Sequence, residues 1–137
     1  MRFLALDIGT RRTGVAFLDT DTGIPLPLDT IHHSSSEELL KRVDEIAKAR
    51  SIDRLIIGLP LLLSGEEGSQ SGYVRDVAAA LGKHGWQIAF VDERYTTDRK
   101  GKGSRGDSEK SIEYDRDAAA ACALLVSFAS HSQIEKK

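Results

Sequence analysis

Three acids stand where an ordinary packing role explains them poorly. Asp7 interrupts the apolar run Phe3-Leu4-Ala5-Leu6-Asp7-Ile8, and a carboxylate inside such a run is costly unless it is paired, hydrogen-bonded or bound to a metal. Asp92-Glu93 closes a second apolar run, Ile88-Ala89-Phe90-Val91, and Asp117 heads a third that begins at Ala118. If Asp7, Glu93 and Asp117 converge at one edge of a sheet, they form a site of hard oxygen donors. Such a site suits Mg²⁺ or Mn²⁺, whereas the sequence has no cysteine cluster or His-x-x-x-His spacing that would suggest zinc. Carboxylate clusters that hold two divalent ions roughly 3.5–4 Å apart hydrolyse phosphodiesters, one ion activating a water and the other stabilising the leaving oxyanion. Plainer roles stay open for two of the three. Asp115 and Asp117 could complement the dipole at the start of a helix, and Glu93 could pair with Arg94.

Cations flank these acids. Arg11 and Arg12 follow Asp7 across a turn, Arg94 follows Glu93, and Arg99-Lys100-Gly101-Lys102-Gly103-Ser104-Arg105-Gly106 is basic, glycine-rich and free of acids. Arg11, Arg12, Arg94, Lys100, Lys102 and Arg105 are therefore candidate substrate-binding residues, able to neutralise phosphates without reading base sequence. The four histidines, His32, His33, His84 and His131, are expected at the surface or in loops.

The elements that must position these groups can be read from periodicity. Phe3–Ile8 and Val15–Leu18, joined by Gly9-Thr10-Arg11-Arg12-Thr13-Gly14, predict a hairpin. Ile24–Ile31 is a third strand, placed at a sheet edge because Pro25 and Pro27 cannot donate to a ladder. Ser35 and Glu38 fit a capping box ahead of a helix whose apolar residues are Leu39, Leu40, Val43, Ile46 and Ala47, ending near Arg50. Leu55-Ile56-Ile57 is a buried central strand, Tyr73–Leu81 a second amphipathic helix, Ile88–Val91 the last strand, and 114–130 a buried final helix. The order β-β-β-α-β-α-β-α predicts an α/β fold, a mixed five-stranded sheet flanked by helices. Ser64–Gly72, with its glycines, serines and Glu66-Glu67, reads as a lid or substrate loop, and Leu61-Leu62-Leu63 as a plug for the core.

Length and charge are compatible with this scheme. The 137 residues suffice for one domain, 1–137. Nineteen Lys and Arg against 21 Asp and Glu leave a net charge of −2, which excludes a histone-like surface but not a local basic patch. The longest apolar run, Ala118–Val126, has nine residues, too few to cross a bilayer. Asp7 breaks the only N-terminal apolar stretch, so no signal peptide is expected, and the lone Cys122 in an Ala/Leu segment reads as an inert buried thiol. A soluble protein of a reducing compartment follows as the expectation.

Several blocks, taken together, resemble the YqgF family, also called RuvX-like. Leu6-Asp7-Ile8-Gly9-Thr10-Arg11-Arg12-Thr13-Gly14-Val15-Ala16 is similar to its opening motif, and Ile56-Ile57-Gly58-Leu59-Pro60-Leu61 with Ser64-Gly65-Glu66 to its second. Val91-Asp92-Glu93-Arg94-Tyr95-Thr96-Thr97 and Asp117 with Ala120-Ala121 and Leu124-Leu125 supply the rest, in family order, from residue 3 to about 128. The resemblance implies a ribonuclease-H-like fold and a cytoplasmic, Mg²⁺- or Mn²⁺-dependent nuclease that matures the 5′ end of pre-16S ribosomal RNA, its carboxylates being Asp7, Glu93 and Asp117. Two departures are visible. After Thr97 the family continues into a short helix, whereas here Asp98 leads into the basic glycine-rich stretch. Many ribonuclease-H-like enzymes also carry an acid on the fourth strand, where this chain has Gly58-Leu59-Pro60. Glu93 must then reach the site from the next strand over.

Other readings share these residues. A Holliday junction resolvase would use the same acids on branched DNA, whose two-fold symmetry favours a homodimer; a monomer favours RNA trimming. A non-catalytic RNA- or ribosome-binding module would keep the fold and dispense with Asp7. The Asp-x-Gly-Thr turn also opens actin-like and sugar-kinase ATPases, but these close two such domains on a nucleotide.

Overall fold

The computed structural model describes residues 1–62, 64–93 and 109–135. Strands β1 (Arg2–Ile8) and β2 (Arg12–Asp19) form the expected hairpin, with Asp7 opposite Gly14 and Ile8 opposite Thr13. The segment expected as one third strand is two short ones, β3 (Leu26–Pro27) and β4 (Ile31–His32). Both pair with β2, β3 at Ala16-Phe17 and β4 at Arg12-Thr13. The break falls at residues 28–30, after both prolines, where the register against β2 shifts by one residue: Pro27 lies opposite Ala16 but Ile31 opposite Thr13. β5 (Arg54–Leu59) lies parallel to β1, and β6 (Ile88–Asp92) parallel to β5. The order across the mixed sheet is β3-β2-β1-β5-β6, with β4 also on β2.

Helix α1 (Ser36–Ala49) starts where the cap predicts: Ser35 Oγ accepts from the Glu38 N–H at 3.1 Å. The Glu38 carboxylate reaches one residue further back than a capping box requires, accepting from the Ser34 N–H at 3.0 Å and the Ser34 hydroxyl at 3.1 Å. These bonds hold the carboxyl below its usual pKa. Helix α2 (Ser69–Lys83) begins four residues before the expected Tyr73, so the end of the supposed lid is its first turn. There Ser71 is buried and its hydroxyl donates to the Pro60 carbonyl. Before it, Leu61 bridges Glu67; Leu61 packs on the core as expected, whereas Leu62 is 52% exposed and Leu63 lies outside the described residues. Helix α3 (Glu109–Glu135) exceeds the expected span at both ends.

Side chains alternate across each strand, and the alternation divides the core in two. Leu4, Leu6, Ile8, Val15, Leu55, Ile57 and Leu59 meet α1 and α2. Phe3, Ala5, Ala16, Leu18, Ile56 and Val91 face the other way, onto Ala121, Leu124 and Leu125 of α3. Each fully buried Leu or Ile contributes roughly 1.5–3 kcal/mol. The small Ala5 and Ala16 let α3 lie close to the middle of the sheet. Cys122 packs in that layer, and burial raises the pKa of its thiol. On the opposite face the Trp86 indole N–H donates to Asp44 of α1 at 2.9 Å, tying α1 to the end of α2.

Candidate active site

The alternation that builds the core also sets the direction of the acids. Asp7 follows Phe3 and Ala5 at steps of two, so it shares their α3-facing side of β1. Glu93, two residues beyond Val91, continues the same side of β6. Both stand at the carboxyl ends of parallel strands, the end at which α/β sheets place their ligands.

Two glycines bring the remaining groups in. A Cβ on Gly58 would lie 2.5 Å from Glu93 Oε2 and 2.9 Å from Leu124 Cδ2. The Glu93 side chain thus occupies the space above β5 that a larger residue would fill, and so crosses toward β1. Gly14, the cross-strand partner of Asp7, is touched by the main chain of α3, since a Cβ there would collide with the Asp117 carbonyl. Asp117 is thereby held beside the strand pair that carries Asp7. It does not stand in the first turn of its helix, because α3 begins at Glu109. The dipole explanation of Asp117 therefore fails.

Asp7, Glu93 and Asp117 line one cleft of about 1160 Å³. Arg11 and Arg12 line it as well, both exposed. Arg12 Nε lies 3.1 Å from Asp117 Oδ2, an ion pair whose side chains are 49% and 21% exposed. Among the described residues no three His, Cys, Asp or Glu side chains stand as a ready ligand group. The donors still fit a hard divalent cation in kind, all being carboxylates that line one cleft. In arrangement, Asp117 is already engaged by a cation of the protein itself. Arg94, Lys100, Lys102 and Arg105, with the rest of the basic stretch, lie outside the described residues.

The cleft is also lined by His32, His33, Ser34 and Glu38, which the sequence reading did not place there, and by Gln70 of the segment read as a lid or substrate loop. His33, expected at the surface or in a loop, lies in the loop after β4 but is only 6% exposed, and its Nε2 shares a 2.9 Å hydrogen bond with the buried Thr13 Oγ1. Burial lowers its pKa, the nearby Glu38 working against this and His32 with it. No partner for His33 Nδ1 is found among the described residues. The signal was present in Thr13, a polar residue whose place in the hairpin turns it inward and calls for a partner. His32 and His84 are exposed, as expected.

A mixed sheet with acids at the carboxyl ends of its parallel strands and a helix closing over them defines a ribonuclease-H-like protein. Thermus thermophilus RuvC has this fold, superposing with a TM-score of 0.61 over 96% of this chain and 97% of its own, at 10% identity. The family described as RuvX, Holliday junction resolvase, matches residues 1–130, and the chain belongs to it. A relative from Sulfurihydrogenibium sp. (strain YO3AOP1), named "Putative pre-16S rRNA nuclease", is 33% identical over 93% of this chain and 88% of its own length. A relative of the same name from Chloroflexus aurantiacus (strain J-10-fl) is 37% identical over 69% of this chain and 62% of its own length.

Proposed function

We propose that this protein is a metal-dependent nuclease that hydrolyses phosphodiester bonds in the cleft of Asp7, Glu93 and Asp117, and that its substrate is the 5′ end of pre-16S ribosomal RNA. The carrying observation is that these three carboxylates, far apart in sequence, line one cleft at the carboxyl ends of parallel strands. Relatives carrying a pre-16S rRNA nuclease name support the RNA substrate. The family's description as a Holliday junction resolvase favours a second reading, branched DNA cut at the same site. Nucleic acid is the partner in either case, with a monomer fitting RNA trimming and a homodimer fitting the two-fold symmetry of a junction. No helix among the described residues is long and apolar enough to cross a membrane, and ribosomal RNA maturation fits a cytoplasmic location.

Asp7, Glu93 and Asp117 would hold Mg²⁺ or Mn²⁺. Such a cation supplies, when bound, an acidified water and charge neutralisation at the leaving oxygen. The protein's own groups do the rest. Gly58 and Gly14 keep the space that lets Glu93 and Asp117 approach Asp7. Arg11 and Arg12 present guanidinium groups to the sugar-phosphate backbone, and Arg94, Lys100, Lys102 and Arg105 are assigned further phosphate contacts by their charge.

The test is cleavage of pre-16S rRNA fragments and four-way DNA junctions with Mg²⁺ or Mn²⁺, comparing the natural protein with Asp7→Asn and Glu93→Gln. Cutting of rRNA at the mature 5′ end, lost in both variants, is expected. Cutting of the junction alone transfers the function to DNA. Failure to cut either substrate, or variants as active as the natural protein, sinks the nuclease reading.

A further inference from the structure

The Arg12–Asp117 pair places a cation of the protein on one of the carboxylates assigned to metal binding. Its two members differ in freedom. Asp117 is held by the close approach of its main chain to Gly14. Arg12 opens β2 beside the turn from β1, and its side chain is about half exposed. A guanidinium and a divalent cation on one carboxylate repel each other, so the pair as it stands disfavours cation binding. A partly exposed ion pair is also weak enough to be exchanged. The planar guanidinium suits phosphate as well as carboxylate, and Arg12 lines the cleft in which a phosphodiester would lie.

We propose that Arg12 is a positioning residue that occupies Asp117 until a phosphodiester of the bound nucleic acid draws its guanidinium away, so that substrate and divalent cation bind cooperatively. This rests on the nuclease reading. It adds that the cation site is completed by exchange of a counter-ion, and that the exchange resides in Arg12. By linkage, the factor by which the phosphodiester raises cation affinity equals the factor by which the cation raises phosphodiester affinity. A protein without its nucleic acid would then hold the cation weakly, which limits unguided hydrolysis.

The experiment is Mn²⁺ binding, followed by the electron paramagnetic resonance signal of free Mn²⁺, with and without a 2′-O-methyl RNA hairpin whose integrity through the titration is checked by gel electrophoresis. The hairpin's own Mn²⁺ uptake is titrated separately and subtracted. The natural protein is expected to bind Mn²⁺ weakly alone and at least about fivefold more tightly with the hairpin. Arg12→Gln, tested alone, should bind Mn²⁺ at least about fivefold more tightly than the natural protein and lose the hairpin's effect. Arg12→Lys, which keeps the charge, should retain part of the coupling. In an Asp117→Asn background, Arg12→Gln should make no difference. Equal Mn²⁺ affinity of the natural protein and Arg12→Gln overturns the exchange even if nuclease activity is found. Absence of Mn²⁺ uptake by every form, hairpin included, overturns the exchange and the nuclease reading together.

Discussion

Gly58 of β5 and Glu93, one residue beyond β6, share a single volume: a Cβ on Gly58 would lie 2.5 Å from Glu93 Oε2. Glu93 stands on the strand next to the one flanking Asp7, and it reaches inward because the intervening residue has no side chain. Gly58→Ala should therefore push Glu93 aside and crowd Leu124, 2.9 Å from the same position. Overpacking of this kind costs about 1–3 kcal/mol. The cleavage rate should fall by more than the urea midpoint accounts for, and normal activity in the folded variant would show that Glu93 is not needed where it lies.

Gly14 makes a harder demand, because what touches it is the main chain of α3. A flexible side chain can move aside, but a helix backbone cannot without shifting the whole Ala121, Leu124 and Leu125 layer. Gly14→Ala should cost about 3 kcal/mol, at the upper end of overpacking, and lower the thermal midpoint. An unchanged midpoint would mean that α3 does not dock so closely on β2.

Asp7→Asn and Glu93→Gln should each lower the rate of phosphodiester cleavage at least about 100-fold, as expected for carboxylates assigned to hold the cation that activates the attacking water. Neither change alters shape, so the circular dichroism melt should move little. Loss of activity with a large loss of melting temperature would instead mark the acids as structural.

His33 gives the stability a pH dependence of determinate sign. Burial lowers its pKa in the folded protein, so the unfolded chain takes up the proton first. Its contribution is complete above the ordinary histidine value of about 6.5 and declines as the pH falls below it. The urea midpoint should be flat above pH 7 and drop as the pH falls from about 6.5 toward the lowered value. His33→Gln should flatten that limb while losing about 1 kcal/mol at neutral pH with the Thr13 hydrogen bond. Equal slopes for both proteins would assign the acid limb to other groups.

Lys100→Ala with Lys102→Ala should weaken nucleic-acid binding and lower the magnitude of the salt slope by about one to two, near 0.9 per phosphate contact. Fluorescence anisotropy across a salt series measures this. An unchanged slope would remove the basic stretch from the substrate path.

Much of the fold was legible because local periodicity and burial coincide. Alternation in Phe3–Ile8 and the apolar Leu55-Ile56-Ile57 follow directly from strands packed on two faces. The Ser35 cap is a local hydrogen bond and was visible as such. The split of the third strand into β3 and β4 was not legible, because two-residue pairings separated by a one-residue register shift leave no periodicity to read. The loop position of His33 was legible, but its burial was not, because that depends on a contact with Thr13 of β2, for which a polar residue inside the hairpin is only an indirect signal.

The sequence by itself determined which groups could do chemistry: acids ending apolar runs, arginines after the first, and a family whose motifs occur in order. It also determined on which side of their strands Asp7 and Glu93 fall, since parity along a strand is a local property. Only the tertiary structure decided that they share a cleft with Asp117. That depends on two close approaches, at Gly14 and Gly58, between segments distant in the chain. It also decided that Asp117 is met by Arg12. A sequence states the charge of both residues, but only the packing of α3 against β2 brings one carboxylate within reach of one guanidinium.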